Sequence, residues 1–269
     1  MRRAGRAMAV VAAGLLPALA AVVAATDLAV PTRRTGRIRR VVAVFPHADD
    51  ETVSCGGTLH RLAREGARVV LVLLTSGERG TPDGRQDPEL GAVRAGEARA
   101  AGRHLGVARV VQAGFADGEL ARHAAEASAV LAAVVARERP QLVLTHDPTG
   151  VYGHPDHVAC STLVTDLRER GRPDWALWHT ALPRPAVPLM RWSGQLVTSP
   201  ELERSRVAPT HRIFVGRDVL AKRSAWAAYR SQRRGLAGGL AGRLPLLLLV
   251  ALQPFEHFTD IAPPARTRC

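Results

Sequence analysis

Two short segments of this sequence bring together side chains that could do chemistry. Residues 46–51 read PHADDE and residues 152–157 read YGHPDH. Their imidazole and carboxylate groups are the nitrogen and oxygen donors that suit zinc, whereas magnesium and calcium prefer shells made only of oxygen. Each segment holds both kinds of donor. The pattern therefore favours a zinc site over a site for a harder ion.

The donors are sufficient for a catalytic centre. Such a centre needs three protein ligands and one open position, and His47, Asp50 and His157 supply two imidazoles and one carboxylate. Asp49 and His154 then remain free to move protons, which in enzymes contributes about 10²- to 10⁴-fold to the rate. This combination predicts a metal centre with proton-moving groups beside it.

Short apolar segments that alternate with helical ones must position these residues. The segments predicted to be buried strands are residues 39–45, 67–75, 108–115 and 141–145, with weaker strands near 175–182 and 211–215. Strands that are apolar on both faces and alternate with helices predict a mostly parallel, Rossmann-like α/β sheet in a single domain, with helices on both faces. The predicted helices are residues 58–65, 90–105, 120–139, 155–170 and 218–233. In such sheets ligands bind beyond the carboxyl ends of the strands. Because the two polar segments follow the first and fourth strands, we expect them to face one pocket.

At these residues the sequence resembles a known family. HADDE at residues 47–51 is similar to the HPDDE motif of the PIG-L/LmbE-like de-N-acetylases, with Ala48 in place of the usual proline. Further similar motifs follow in the family's order: SCGGT at 54–58, TSGE at 75–78, RAGE at 94–97, FADG at 115–118 and HPDH at 154–157. The resemblance covers roughly residues 39–233. It implies a zinc-dependent hydrolase that removes an N-acyl group, above all N-acetyl, from an amino sugar or glycoconjugate.

The resemblance also implies a role for each matched residue. His47, Asp50 and His157 would bind Zn²⁺. Asp49 would be the general base towards the attacking water, and His154 would assist the tetrahedral intermediate and protonate the leaving amine.

The remaining matched residues would support these five. Asp156 would orient His154, and Tyr152 would help to polarise the carbonyl. Arg94 and Asp117 match positions that contact substrate. His146 and Asp147, at the end of the fourth strand, lie near the predicted pocket.

Two alternatives stay open from the residues alone. One is a zinc amidohydrolase of the same fold that acts on a non-sugar amide, because the motifs specify the metal chemistry and not the acyl acceptor. The other is a catalytically inactive module that binds a sugar or lipid. Intact Asp49 and His154 speak against the second alternative.

The composition argues against binding to nucleic acid. The chain has a net charge of +13 from 37 basic and 24 acidic residues, and Lys222 is its only lysine. A basic surface attracts polyanions, but no segment alternates basic and aromatic side chains as a groove for single strands does. We therefore expect a small-molecule or glycoconjugate substrate and no nucleic-acid partner.

The first residues have the pattern of a targeting segment. Arg2, Arg3 and Arg6 precede an apolar run over residues 8–25, which is typical of a signal peptide or an N-terminal membrane anchor. Residues 1–30 are predicted to be this segment, residues 31–38 a linker, and residues 39–260 the deacetylase domain. The pattern predicts an exported protein, secreted or associated with the membrane through its N-terminal segment.

Overall fold

A sheet of seven strands forms the centre of the computed structural model, which describes residues 26–81, 84–171, 174–192, 194, 196, 198–232 and 254–261. The strands are β1 (Arg40–Phe45), β2 (Arg68–Thr75), β3 (Arg109–Phe115), β4 (Leu142–His146), β5 (Ala176–Thr180), β6 (His211–Phe214) and β7 (Phe255–Ile261). Their order across the sheet is β3-β2-β1-β4-β5-β7-β6. The first five strands pair in parallel, and β7 runs antiparallel to both β5 and β6. The predicted mostly parallel sheet is confirmed.

Helices cover both faces of this sheet, as predicted. They are α1 (Asp50–Arg64), α2 (Pro88–His104), α3 (Ala124–Glu138), α4 (Gly150–Gly153), α5 (Pro155–Gly171), α6 (Ala186–Trp192), α7 (Pro200–Glu203) and α8 (Val219–Ala228). Side chains of a strand point alternately to its two faces. On one face Val41 and its neighbours pack with α1, α2 and α8, and on the other face Val42 and its neighbours pack with α3 and α5.

Helix α1 begins earlier than the sequence predicts. The predicted helix covers residues 58–65, but the observed helix starts at Asp50 and continues across a break at Cys55, where the backbone leaves helical geometry (φ −151°, ψ 20°). Acidic side chains in a first turn stabilise the positive end of a helix, so Asp50 and Glu51 suit this start. The strand β1 therefore leads through a short turn directly into α1, and that turn carries the first polar segment.

The first residues of the segment 31–38, predicted as a linker, pair with the edge of the sheet. The backbone N–H of Arg33 donates to the carbonyl of Arg212 at 2.9 Å, and Thr32 forms a parallel bridge with the same residue. The side chain of Val30 is only 1% exposed. The polar composition of this segment concealed its role as an extra edge contact beside β6. Residues 1–25, on which the predicted signal peptide or anchor rests, lie outside the described residues.

Candidate metal centre and active site

The parallel pairing of β1 with β4 brings the two polar segments to one edge of the sheet. Ala43 lies opposite Leu144 in this pairing, so the turns that follow both strands meet. The nitrogen Nδ1 of His47 lies 3.2 Å from Nε2 of His157. Oδ2 of Asp50 lies 3.4 Å from each of these nitrogens. The structure thus brings together the three residues that the sequence singled out for zinc.

The spacing of these three atoms fits one zinc ion. With bonds of about 2.0 to 2.1 Å, a tetrahedral ion separates its ligand atoms by about 3.3 to 3.4 Å. The observed separations are 3.2, 3.4 and 3.4 Å. Two imidazole nitrogens and one carboxylate oxygen are also donors that zinc prefers. The geometry and the chemistry of the set agree.

Both histidines are held by their far ring nitrogens. Nδ1 of His157 faces the carbonyl of Gly150 at 3.2 Å, which leaves Nε2 for the centre. Nε2 of His47 faces Asp117 Oδ1 at 3.0 Å and Asp156 Oδ2 at 3.3 Å, which leaves Nδ1. Such contacts orient metal-binding histidines and make them better donors. They also explain why His47, Asp117 and Asp156 form a compact group of their own.

The charges of the centre favour a cation. Burial alone would lower the pKa of His47, but hydrogen bonds to Asp117, Asp156 and Asp50 raise it well above its ordinary value. Burial alone would raise the pKa of Asp50, but the nearby histidines, with His157 first among them, hold it well below its ordinary range. Three carboxylates therefore surround a position at which positive charge is stabilised.

Asp49 has the environment of a base rather than of a ligand. Its backbone lies in the left-handed region (φ 110°, ψ −29°), where a residue with a side chain is strained and where functional residues often occur. Burial and the adjacent Asp50 carboxylate raise its pKa to about 8, against the opposing effect of Arg94. Arg94 Nη2 lies 3.6 Å from Asp49 Oδ1. A carboxyl with such a pKa can accept and release a proton near neutral pH.

His154 is oriented differently from the sequence-based expectation. The backbone N–H of Asp156 donates to Nδ1 of His154 at 3.2 Å, so the proton of the neutral ring is on Nε2. Burial, with a contribution from His47, lowers the pKa of His154. The Asp156 carboxylate, predicted to orient His154, instead contacts His47 and accepts hydrogen bonds from the backbone N–H groups of Gly118 (2.7 Å) and Leu120 (3.1 Å).

Tyr152 lies at the edge of the centre on a strained turn. Its hydroxyl is 3.4 Å from Nε2 of His157, and burial raises the pKa of this hydroxyl. The preceding Val151 has φ 68° and ψ −59°, an unfavourable conformation for a β-branched residue. Both of its backbone groups are held: its N–H donates to Asp147 Oδ1 at 2.8 Å, and its carbonyl accepts from Arg206 Nη1 at 2.9 Å. This turn aims the tyrosine at the centre.

Arg94 and Asp117, expected to contact substrate, contact the protein's own site residues. The two terminal nitrogens of Arg94 donate to the carbonyls of Gly77 (3.1 Å) and Ala48 (2.6 Å). Asp117 accepts from His47 and from the backbone N–H of Arg79. Arg94 thus joins the turns after β1 and β2, and Asp117 fixes the ring of His47.

Sequence reasoning missed several supporting residues. Glu51 is fully buried and accepts a hydrogen bond of 2.7 Å from the hydroxyl of Tyr229, which follows α8. Arg206, between α7 and β6, holds the Val151 carbonyl. Tyr229 and Arg206 belong to no motif, and both are far from the site along the chain. No local signal in the sequence marks them, because their role depends on tertiary contacts alone.

Comparison with known proteins adds the family. The PIG-L family model, described as GlcNAc-PI de-N-acetylase, matches residues 42–167. A relative from Thermobispora bispora, named 1D-myo-inositol 2-acetamido-2-deoxy-alpha-D-glucopyranoside deacetylase, is 32% identical over 215 residues, which are 67% of this chain and 70% of the relative. A protein of the same name from Mycobacteroides abscessus is 38% identical over 167 residues, 53% of this chain, and the match spans only 58% of that relative.

A solved structure shares the fold. N,N'-diacetylchitobiose deacetylase from Pyrococcus horikoshii superposes with a TM-score of 0.63 at 23% identity, over 84% of this chain and 85% of that chain. At this identity the likeness concerns the fold, since one fold supports different activities.

The predicted export of this protein is wrong by these comparisons. The matching relatives are named as deacetylases of an inositol glycoside, and not as secreted or membrane-bound proteins. Within the described part of the chain, no helix is both long enough and apolar enough to cross a membrane.

The ordered motifs meet in one site, the family model matches the segment that contains both polar clusters, and the Thermobispora relative is matched over 70% of its length. This chain belongs to the PIG-L family of de-N-acetylases.

Proposed function

We propose that this protein is a zinc-dependent hydrolase that removes the acetyl group from the nitrogen of an amino sugar. The observation that carries the proposal is the set of three ligand atoms of His47, Asp50 and His157, mutually 3.2 to 3.4 Å apart, with Asp49 and His154 beside it. The names of the relatives, which specify an acetamido sugar joined to inositol, support an N-acetylglucosaminide as the substrate class.

His47, Asp50 and His157 would hold the zinc ion. When bound, zinc would polarise the amide carbonyl and lower the pKa of water towards about 7. The histidines would bind as neutral rings, and the carboxylates of Asp117 and Asp156 would hold His47 in the required orientation. The proton that these carboxylates otherwise favour on His47 would be replaced by the ion.

Asp49 would act as the general base. It accepts a proton from the attacking water as the new bond from oxygen to the acyl carbon forms. Burial raises its pKa above that of an exposed carboxylate, which makes it a stronger base towards the water. Arg94 would hold the Asp49 carboxylate in place from 3.6 Å, and we assign it this supporting role beside the predicted contact with substrate.

His154 and Tyr152 would act on the two ends of the breaking amide. As the bond between carbon and nitrogen breaks, Nε2–H of the neutral His154 ring donates a hydrogen bond to the leaving nitrogen, and the proton that Asp49 took from the water passes to that nitrogen, so that the products are acetate and the free amino sugar. The hydroxyl of Tyr152 stays protonated, since its pKa is raised, and would donate a hydrogen bond to the carbonyl oxygen as negative charge develops there. One such donor in other enzymes contributes about 10²- to 10³-fold.

Metal analysis combined with detection of free amine tests this function. The purified protein would be assayed against an inositol N-acetylglucosaminide, N-acetylglucosamine, N,N'-diacetylchitobiose and an N-acetylated alkylamine, with Asp49→Asn as the matched inactive control. We expect about one zinc ion per chain and amine release from one or more of the sugars. Release from the alkylamine alone would overturn the sugar assignment, and metal-independent release would overturn the mechanism.

A further inference from the structure

A buried histidine that the proposed mechanism does not use lies beside the metal-binding carboxylate. His146 ends strand β4 and is only 1% exposed. Its ring stacks on the ring of His157, with centroids 4.5 Å apart and planes inclined by 8°. Its Nε2 atom has no hydrogen-bond partner among the residues that the structure describes. A buried nitrogen of this kind is costly, so its retention calls for a reason.

The His146 ring is held so that Nε2 points at Asp50. Its Nδ1 lies 3.3 Å from the hydroxyl of Thr180 on the neighbouring strand β5, and its backbone carbonyl accepts from Ser161 Oγ of α5 at 2.9 Å. Nε2 lies 3.8 Å from Asp50 Oδ1, which is close enough for an ion pair but too long for a hydrogen bond. The other oxygen of Asp50 faces His157. The two oxygens of Asp50 thus serve different partners.

We propose that His146 is a positioning residue for the metal: its Nε2–H donates to Asp50 Oδ1 when Oδ2 binds the ion. This inference rests on the proposed metal ligands. The hydroxyl of Thr180 can donate to Nδ1, which leaves the ring proton on Nε2. The opposite tautomer would set a bare ring nitrogen against a buried carboxylate, which is repulsive. Carboxylates that bind metals are held by such hydrogen bonds, and loss of the donor weakens metal binding about 10- to 100-fold.

The competing interpretation is a second cation position. The ligand atoms of Asp50, His146 and His157 lie within 4.8 Å of one another. However, Nδ1 of His157 faces the carbonyl of Gly150, and Nε2 belongs to the first ion. A second ion would therefore have only two side-chain ligands in this group, fewer than the three or four that zinc sites use. This favours the positioning role.

Two substitutions of matched chemistry test the inference. In His146→Gln the amide nitrogen reaches about as far as Nε2, whereas in His146→Asn it reaches only as far as Nδ1. Zinc affinity would be measured by competition with a chromogenic chelator, and ligand geometry by the absorption spectrum of the cobalt-substituted protein. Thermal melting of the metal-free proteins would establish that each variant is folded. We expect His146→Asn to bind zinc about 10- to 100-fold more weakly with an altered cobalt spectrum, and His146→Gln to recover most of both.

Other results of this experiment would overturn either the role of His146 or the proposed function. A folded His146→Asn protein with unchanged zinc affinity and cobalt spectrum overturns the inference and leaves the proposed function intact. If the wild type binds two zinc ions and His146→Asn binds one, with the affinity for the first ion unchanged, His146 is instead a ligand of a second cation. A wild-type protein that binds no metal contradicts the proposed function itself. If His146→Asn does not fold, Thr180→Val removes the hydroxyl that sets the tautomer, and unchanged zinc affinity in that variant also overturns the inference.

Discussion

Lys222 Nζ lies 2.6 Å from Glu256 Oε1, and both side chains are completely buried. Glu256, on β7, also accepts hydrogen bonds from the backbone N–H groups of Gly57 (3.0 Å) and Thr58 (2.7 Å). These two groups belong to the first turn after the break in α1 at Cys55. The only lysine of the chain and this glutamate therefore fix the helix whose first residues include Asp50.

The first prediction concerns the stability that this pair provides. Lys222→Met leaves the Glu256 charge buried without its cation, and breaking a buried pair in this way costs about 3 to 5 kcal/mol. The free energy of unfolding, measured with urea, should fall by this amount. The double variant Lys222→Met/Glu256→Gln should recover part of the loss, because no uncompensated charge remains.

An exposed pair provides the matched control. Arg33 and Asp260 are also 2.6 Å apart, but their side chains are 51% and 32% exposed. Surface pairs contribute about 0 to 1 kcal/mol, so Arg33→Met should change the free energy of unfolding little. Equal effects of Lys222→Met and Arg33→Met would contradict the interpretation of the buried pair.

The same pair shows why one strand escaped prediction from the sequence. β7 contains Glu256, His257 and Asp260 among its seven residues, and charged residues argue against a buried strand. Glu256 is nevertheless fully buried because Lys222 and two backbone N–H groups satisfy it. Only the tertiary structure reveals those partners. Strands β1 to β4, each of which contains a run of apolar side chains, were predicted to within a residue or two at each end.

In the candidate site, too, some features could be predicted from the sequence and others depend on tertiary contacts. The set of His47, Asp50 and His157 could be predicted because these residues lie in motifs that follow strand ends. The carboxylate of Asp156 was expected on His154, its near neighbour in the motif, yet it reaches His47 across the site. Local spacing cannot distinguish these two partners, since the choice depends on how the turn before α5 meets the turn after β1.

Three buried histidines predict how stability depends on pH. Burial lowers the pKa of His179, His211 and His257 to about 4, with Arg33 contributing at His211 and Asp260 opposing it. In the unfolded chain their pKa is about 6.5, so between these values the unfolded state binds more protons. Their contribution to the free energy of unfolding is complete above about pH 6.5. It decreases as the pH falls from about 6.5 through 4, by at most about 1.4 kcal/mol per histidine per pH unit.

Urea unfolding at pH 7, 6 and 5 would measure this slope. His211 packs against the rings of Trp178 and Phe258, so His211→Phe should be accommodated. This variant should reduce the slope by the contribution of one histidine. His104→Gln, on the exposed face of α2, is the control and should leave the slope unchanged. A slope in His211→Phe as steep as in the wild type would contradict the prediction.

Metal removal should lower the thermal stability of the protein. An ion that binds only the folded chain stabilises it by about 2.7 kcal/mol when its free concentration is 100 times the dissociation constant. We expect the Tm to fall after dialysis against a chelator and to recover when zinc is added. His157→Ala should abolish the response to zinc, whereas His104→Gln should retain it. A Tm response of His157→Ala equal to that of the wild type would exclude His157 as a ligand.

The last prediction separates the base from the ligand in the adjacent pair Asp49 and Asp50. Asp50 Oδ2 faces both histidines of the centre at 3.4 Å, whereas the Asp49 carboxylate lies near Arg94 at 3.6 Å. Asp49→Asn keeps the size of the side chain and removes the base, so zinc should stay bound while kcat falls by about 10² or more. Asp50→Asn removes the charge of a ligand, so zinc affinity and activity should fall together.

Zinc content and kcat, measured side by side for both variants, distinguish these roles. His154→Gln should behave like Asp49→Asn, because its proposed work is to orient and hydrogen-bond the leaving nitrogen in the transition state and not to hold the ion. Excess zinc should restore part of the activity of Asp50→Asn and none of that of Asp49→Asn. An Asp49→Asn protein that loses its zinc and regains normal turnover in excess metal would show that the two carboxylates have the opposite roles.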